Sequence, residues 1–507
     1  MFTLISGFVF CLACLSPVVI AVVNYFKDQH GLKRFPGPFL AKFSRIWLAR
    51  AARTRKRYSI IHDLHKKHGW CSIVRIAPDE LSIADVDALD IVMGHGTKHT
   101  KSEFYDAFVS VHAGVFNTRS RADHARKRKL ISAAFSPKNI VEFQPLVSAH
   151  LLKFVKQWDK LAAKSLSGER TTINCLPWMH YLTFDIVSDL AFGEPFGMIE
   201  SGSDIVTFLE PTGQVKRLSA VGILDERGEY SSTTGCLPSI LRPIWTFLDA
   251  RMSICHKSAE SLNGMSRNYV AKRLTEGNVN DRKDILACLQ EGKDSNGLPM
   301  GKDEMMVEAT TQLVGGSDTT SNTLTVIIWW VLKHPEVHKK LVSELDEKLG
   351  DHDGALGNDD SKKLPYLNAC IREASRIHSP FSLGLPRIMS EDVNYKGYLL
   401  RKGMVCSVPV YEIHHDPKIW GDPFVFRPER WLVKDIRNLE KAFIPFSVGP
   451  RACVGRNLAN LELQSIIATI FSRYDMTLEG ESKECLKSKE YFLNKPVACW
   501  VSLKPRN

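Results

Sequence analysis

Missing from the first 26 residues is any Asp, Glu, Lys, Arg or His. At about 1.5 Å per residue, a helix of that length covers the roughly 30 Å hydrocarbon core of a bilayer with some tilt. Also missing are a basic n-region ahead of the apolar stretch and an A-x-A site behind it, and the stretch exceeds the usual 7 to 15 or so apolar residues; all three count against a cleaved signal peptide. Pro17 can kink the span at a cost that membrane helices tolerate. Lys27, Lys33 and Arg34 follow it, so the positive-inside rule places the remaining chain in the cytosol.

The other absences concern organisation. No internal repeat and no low-complexity linker divides the 507 residues, so the expected arrangement is an anchor over 1–26 and one large catalytic domain over 27–507. Twelve cysteines in so long a chain do not make a disulfide framework, and a cytosolic orientation keeps thiols reduced. Cys11 and Cys14 spell C-x-x-C, but within the apolar stretch and with no second ligand pair, which counts against a zinc or redox site there. The net charge of +11 and pI near 9.0 call for an acidic partner. No nucleic-acid module accompanies that charge, so nucleic acid is not the partner expected. A hydrophobic content of 44% is ample for a core.

Against this background one segment is tightly specified: Phe446 to Gly455 reads F-x-x-G-x-R-x-C-x-G. A thiolate that holds a metal must stay deprotonated and sheltered from bulk water, which calls for backbone N–H donors and shielding bulk around Cys453. Gly449 and Gly455 would let the backbone turn closely about the sulfur, and Phe446 would cover it. The segment resembles the haem-thiolate loop of the cytochrome P450 monooxygenases. That resemblance implies a mainly α fold with small β-sheets behind one N-terminal transmembrane helix. It implies haem b with Cys453 as axial iron ligand, Arg451 against a haem propionate, and O2 as co-substrate.

Three further motifs stand in the order of that family. Gly315-Gly316-Ser317-Asp318-Thr319-Thr320 resembles the segment of the long helix that crosses the oxygen side of the haem. Flanks Glu304–Leu313 and Leu324–Leu332 are helix-compatible, with no proline until Pro335. Each glycine inside a helix costs about 1 kcal/mol relative to Ala, so the pair needs a reason. The resemblance supplies one: a local widening that admits dioxygen and water, with Asp318 and Thr319 relaying protons for cleavage of the O–O bond.

Glu373 and Arg376 are three apart on one helical face, and Phe426-Arg427-Pro428-Glu429-Arg430-Trp431 resembles the segment that follows it in the family. By that resemblance Glu373, Arg376 and Arg430 form a buried structural charge network. His124 and Arg128, four apart on a helix, and Arg387 in Leu385-Pro386-Arg387 are similar to the family's other propionate partners.

The basic clusters at Arg53-Thr54-Arg55-Lys56-Arg57 and Arg126-Lys127-Arg128-Lys129 suit two surfaces. The first, near the anchor, suits anionic lipid headgroups. For the second, the resemblance implies docking of an NADPH-cytochrome reductase, whose FAD and FMN would pass on two electrons. Microsomal members carry a proline hinge like Phe35-Pro36-Gly37-Pro38, which implies a single-pass protein of the endoplasmic reticulum membrane facing the cytosol.

For the substrate, likeness carries the reading further than chemistry does. The segments 101–110, 116–119, 225–230, 385–387, 443–446 and 492–496 resemble a fungal subfamily that para-hydroxylates benzoic acid. A small aromatic acid needs an apolar slot and a donor for its carboxylate. Phe116, Val314, Phe381, Leu383 and Phe492 are candidates for the slot, and Arg119, Arg121 and Tyr105 for the donor. Val448 and the stretch Ser379–Ser382 depart from the family pattern. Conversion of benzoate to 4-hydroxybenzoate is the first expectation. A tailoring oxygenase acting on another aromatic or hydrophobic intermediate of fungal secondary metabolism is the second. A non-catalytic haem sensor is the third, disfavoured by intact Asp318 and Thr319.

Overall fold

A computed structural model describes residue 16 and residues 19–69, 73–163, 170–209, 214–277, 282–294, 296–349 and 358–506. The architecture is mainly helical with small sheets. Its axis is a 32-residue helix, Lys302–Lys333. Leu313, Leu324, Ile327, Ile328 and Val331 are all buried in it, so apolar residues surround this helix instead of marking one face, as befits an element inside the core.

Alongside runs the helix Cys175–Phe192. Asn174 caps its start by accepting from the Leu176 N–H at 3.3 Å, and Gly193 ends it with a left-handed φ of 90°. The two helices meet at Gly316, where a Cβ atom would lie 2.9 Å from a methyl of Val187. Close approach is therefore the reason for this glycine. The helix stays α-helical through Gly315 and Gly316, so the widened turn expected there is not formed. Gly315 contributes open space instead, since a Cβ on it would meet nothing within 4 Å.

A five-stranded sheet orders its strands Ile73–Ala77, Glu80–Ile83, Val405–Ser407, Arg387–Ile388 and Thr100–Lys101. Its outer pairing sets Lys101 directly opposite Arg387. A short C-terminal hairpin pairs Ser488–Glu490 with Asn494–Pro496, placing Phe492 in the turn and Lys495 on the returning strand. The Asn494 N–H donates to the Pro380 carbonyl at 2.8 Å and fastens the hairpin to the loop that carries Phe381.

The Phe35–Pro38 segment, expected to be a proline hinge, is docked against the body. Phe35 is buried, the Arg75 N–H donates to the Pro36 carbonyl at 2.7 Å, and a Cβ on Gly37 would lie 2.1 Å from the Arg75 carbonyl oxygen. Residues 19–27 are helical. Among the described residues no helix is long and apolar enough to cross a membrane. Most of the span expected over 1–26, Cys11 and Cys14 with it, lies outside the described residues.

Candidate active site

The cysteine loop is shaped by two left-handed residues, Ser447 at φ 58° and Gly449 at φ 74°. A Cβ on Gly449 would sit 1.8 Å from the Met93 carbonyl oxygen, so only glycine fits. The Cys453 N–H donates to the Phe446 carbonyl at 2.9 Å and closes the loop. The 18-residue helix Arg456–Arg473 begins directly after it. Burial pushes the Cys453 thiol up from its ordinary range, while the N–H groups of Gly455 and Arg456 and the guanidiniums of Arg128 and Arg456 pull it down. Gly455 has an ordinary φ of −82°, and a Cβ there would meet the Phe135 ring at 3.7 Å, normal contact. The tight turn expected at Gly455 is thus absent, and its contribution is the N–H that points at the sulfur.

Cys453 opens into an internal cavity of about 300 Å³. Val314, Gly315, Asp318 and Thr319 of the long helix line it, as do Phe446, Phe116, Phe381 and Phe492. Thiol and helix thus bound one space.

Beside the thiol the cavity gathers five basic residues. Lys101, His124, Arg128 and Arg451 line it, and Arg387 stands across the strand pair from Lys101. Arg451 donates to the Thr118 carbonyl at 2.8 Å, Arg387 to the Tyr105 hydroxyl at 2.9 Å, and Arg128 to the Ala452 carbonyl. Lys101 reaches the Phe116 carbonyl and lies 4.2 Å from the Tyr105 ring centre. Among the described residues none of the five is ion-paired with a carboxylate. Burial, reinforced by the neighbouring cations, pushes Arg451 down to about 10, His124 down to about 3, and Lys101 well below its usual range. Buried like charges without a counterion are costly. A dianionic group seated between them and the thiol resolves the conflict, and haem, with two propionates and an iron that takes thiolate, fits these residues. His124 faces the same space and would donate an N–H to a propionate there.

Residues 35–500 match the family model of cytochrome P450. The chain belongs to the cytochrome P450 family. It is 41% identical over 500 residues to the benzoate 4-monooxygenase bphA of Aspergillus niger, covering 96% of both chains. It is 31% identical over 472 residues to a cytochrome P450 monooxygenase, ORF9, of Penicillium roqueforti, covering 90% of this chain and 86% of that one. The protein is accordingly a monooxygenase whose family uses haem b, O2 and a redox partner, which sets aside the haem sensor.

In this P450 the Thr319 hydroxyl donates to the Gly315 carbonyl at 2.6 Å, one turn earlier. Asp318 is buried and ion-paired with Lys495, whose ammonium also meets Asp225. The Asn322 amide donates to Asp318 at 3.2 Å, and His180 Nδ1 stands 3.9 Å from it. Burial pushes Asp225 up, and burial pushes His180 down to about 3, so this imidazole is neutral. Behind Lys495 lies a second cavity of about 330 Å³, lined by His180, Asp204, Asp225 and Tyr491. Lys495 borders both cavities. The sequence reading named neither Lys495 nor Asp225 as a site residue, and Lys101 escaped it too.

Glu373, Arg376 and Arg430 come together as a fully enclosed cluster. Glu373 accepts from Arg376 at 2.8 Å and 3.0 Å, from Arg430 at 2.8 Å, and from the Trp431 indole at 3.0 Å. Arg376 also donates to the carbonyls of His414 and Pro423, both at 2.7 Å.

Several expectations are corrected. Leu383 packs with Leu48, Ile61 and Cys236 in a neighbouring core, and Leu385 lines the cavity in its stead. Arg119 is ion-paired with Asp106 at 2.7 Å, Tyr105 lies buried beneath Arg387, and Arg121 is exposed at the start of its helix, and none of the three lines the cavity. Lys127 is buried and held by Glu304, leaving Lys129 as the exposed lysine of that cluster. In the first cluster Arg53 and Arg55 pair with Glu229 at 2.9 Å and 2.7 Å, and Arg57 is buried against Glu490 at 3.3 Å, so only Lys56 of 53–57 faces outward uncommitted. Val448 packs into the core of Leu89, Val92 and Ile444, not onto the cavity, so its departure from the family pattern does not touch the substrate.

Proposed function

We propose that this P450 hydroxylates a small aromatic acid, benzoate to 4-hydroxybenzoate. The observation that carries the reading is the aromatic wall of the cavity. Phe108 and Phe492 lie 4.6 Å apart between ring centres, Phe381 and Phe492 5.0 Å, and Phe108 and Phe116 5.7 Å, with ring planes inclined by 55° to 84°, together forming an apolar aromatic wall of the size a single small ring requires. The relationship to the benzoate 4-monooxygenase supports the same substrate. Haem would be held by Cys453 through its iron and by Lys101, His124, Arg128, Arg387 and Arg451 through its propionates, and it would supply oxygen activation. One oxygen atom of O2 enters an aromatic C–H bond and the other leaves as water, with two electrons drawn from NADPH through an FAD- and FMN-bearing reductase.

The chain's own part is proton supply and exclusion of water. The Thr319 hydroxyl faces the reaction cavity, and Asp318 links it through Lys495 to the second cavity, which offers protons a polar route separate from the aromatic slot. For the reductase, the exposed Lys129 is the docking cation we assign.

We propose further that residues 1–26 anchor residues 27–507 to the endoplasmic reticulum membrane, with the catalytic body in the cytosol. Exposed Val19, Val23 and Phe26 on the first helical turns support this, as do Ile240, Phe247 and Leu248 around the short helix Arg242–Leu248, with Phe247 85% exposed. Protease treatment of intact microsomes should digest the body; protection of the body would reverse the orientation.

The test of the activity is incubation of the membrane-expressed protein with reductase, NADPH and benzoate. Formation of 4-hydroxybenzoate, abolished in Cys453→Ala and reduced in Thr319→Ala, is the expected result. A normal carbon monoxide spectrum without that product would move the assignment to another hydrophobic intermediate.

A further inference from the structure

We propose that Arg227 is the carboxylate-binding residue of the substrate slot and fixes an arenecarboxylate so that the ring carbon opposite its carboxylate is presented for hydroxylation. The inference deepens the function proposed above and rests on it.

Arg227 lies on the helix Ala220–Thr234 and lines the reaction cavity with its helix neighbours Leu224 and Gly228. Three acidic residues flank it on that helix, and each is committed elsewhere. Asp225 holds Lys495. Glu226 pairs with Arg251 at 2.9 Å, and Glu229 with Arg53, Arg55 and Arg251 at 2.9, 2.7 and 3.2 Å. Arg227 itself has one hydrogen bond among the described residues, from Nη2 to the Phe108 carbonyl at 3.2 Å. A guanidinium carries five N–H donors, so this contact orients the group and leaves most of it unmatched.

Burial alone pushes Arg227 down to about 10, with no neighbouring charge of either sign contributing, so at neutral pH it stays cationic. It is thus electrostatically separate from the Lys101, Arg128, Arg387 and Arg451 group, which suits the propionates. Lys495, the other cation bordering the cavity, is neutralised by Asp225 and Asp318. A half-buried cation that lines a cavity and has no counterion gains from an anion that arrives with the ligand. A planar guanidinium matches a carboxylate with two parallel hydrogen bonds. The carbonyl that orients it belongs to Phe108, a ring of the slot, so the acid's charged end and its aromatic body meet adjoining walls.

The test is spectral titration of the haem-loaded protein with benzoate and with benzamide, its neutral isostere, in wild type, Arg227→Met and Arg227→Lys. Wild type should prefer benzoate. Arg227→Met should weaken benzoate binding about tenfold to a hundredfold and leave benzamide within about twofold, while Arg227→Lys should restore part of the preference. Unchanged haem content and carbon monoxide spectrum certify each variant, and the Lys variant carries the test alone if the Met variant loses haem. A wild type that prefers benzoate together with variants that keep the full preference would overturn the assignment of Arg227 alone. Equal losses for both ligands would overturn it in favour of a packing role. A wild type that binds benzamide better than benzoate would overturn the aromatic-acid reading and this inference together.

Discussion

Lys495, from the C-terminal hairpin, is ion-paired with Asp318 of the long helix, inside the protein and at the junction of two cavities. Two elements remote in sequence thereby share one ion pair, and Asp225 from a third element adds a second carboxylate to the same ammonium. Removing the lysine strands the buried carboxylate of Asp318 and the half-buried one of Asp225. Lys495→Met should fold less stably by about 3 to 5 kcal/mol and slow turnover, with more NADPH oxidised per product formed. Product yield per NADPH is the readout, and an unchanged yield would take Asp318 out of the proton route.

The same reasoning applies to Arg376, which is fully buried against Glu373. Arg376→Ala leaves Glu373 with an uncompensated share of its charge, at about 3 to 5 kcal/mol. Expression should yield protein without haem, read by the carbon monoxide spectrum. A haem-loaded variant of normal melting temperature would contradict the structural role given to the cluster.

Gly449→Ala should abolish the thiolate spectrum. A left-handed φ in a non-glycine residue costs of order 1–3 kcal/mol, and the overlap with the Met93 carbonyl adds to it. Gly455→Ala, whose Cβ would meet only ordinary contacts within the chain, should keep the spectrum. The two glycines of one motif are expected to separate cleanly in this assay.

Lys127→Glu places a second acid against Glu304 in a buried position and should lower the melting temperature by several degrees. Lys129→Glu should leave the melting temperature unchanged and slow reduction by the flavoprotein in a salt-dependent way. Stopped-flow reduction at two ionic strengths distinguishes them.

Glu462 gives the pH dependence. Burial pushes its carboxyl up to about 8, with the Thr320 hydroxyl offsetting only part. Unfolded, the group has its ordinary value near 4.3, so between the two values the folded state binds more protons than the unfolded. Stability should therefore fall as pH rises from about 5 to 8, by up to about 1.4 kcal/mol per unit. Glu462→Gln should flatten that slope in denaturant melts at pH 6 and 8; an unaltered slope would remove the assignment.

Much of the haem side was legible because short-range spacing encodes it. The cysteine loop carries its own geometry within ten residues, and Glu373 and Arg376 share a helical face. What escaped was long-range. Lys495 joins Asp318 only through a hairpin turn, and Lys101 faces Arg387 only through a strand pairing, so no local pattern announces either. Lys127, read as a surface charge, is buried because Glu304 arrives from 177 residues away. Arg227 was quoted within a likeness and given no role, since its isolation depends on its acidic neighbours being occupied by partners elsewhere in the fold. Gly315 and Gly316 were read as a pair with one purpose, whereas one serves packing and the other space.

The unpaired Lys101, Arg128, Arg387 and Arg451 also bear on the life of the newly made chain. Until haem arrives, these cations repel one another around the very space that the cofactor fills, so the cofactor completes the fold as well as the chemistry. Haem should therefore stabilise the protein as well as equip it, and haem-depleted protein is expected to melt at a lower temperature than haem-loaded protein.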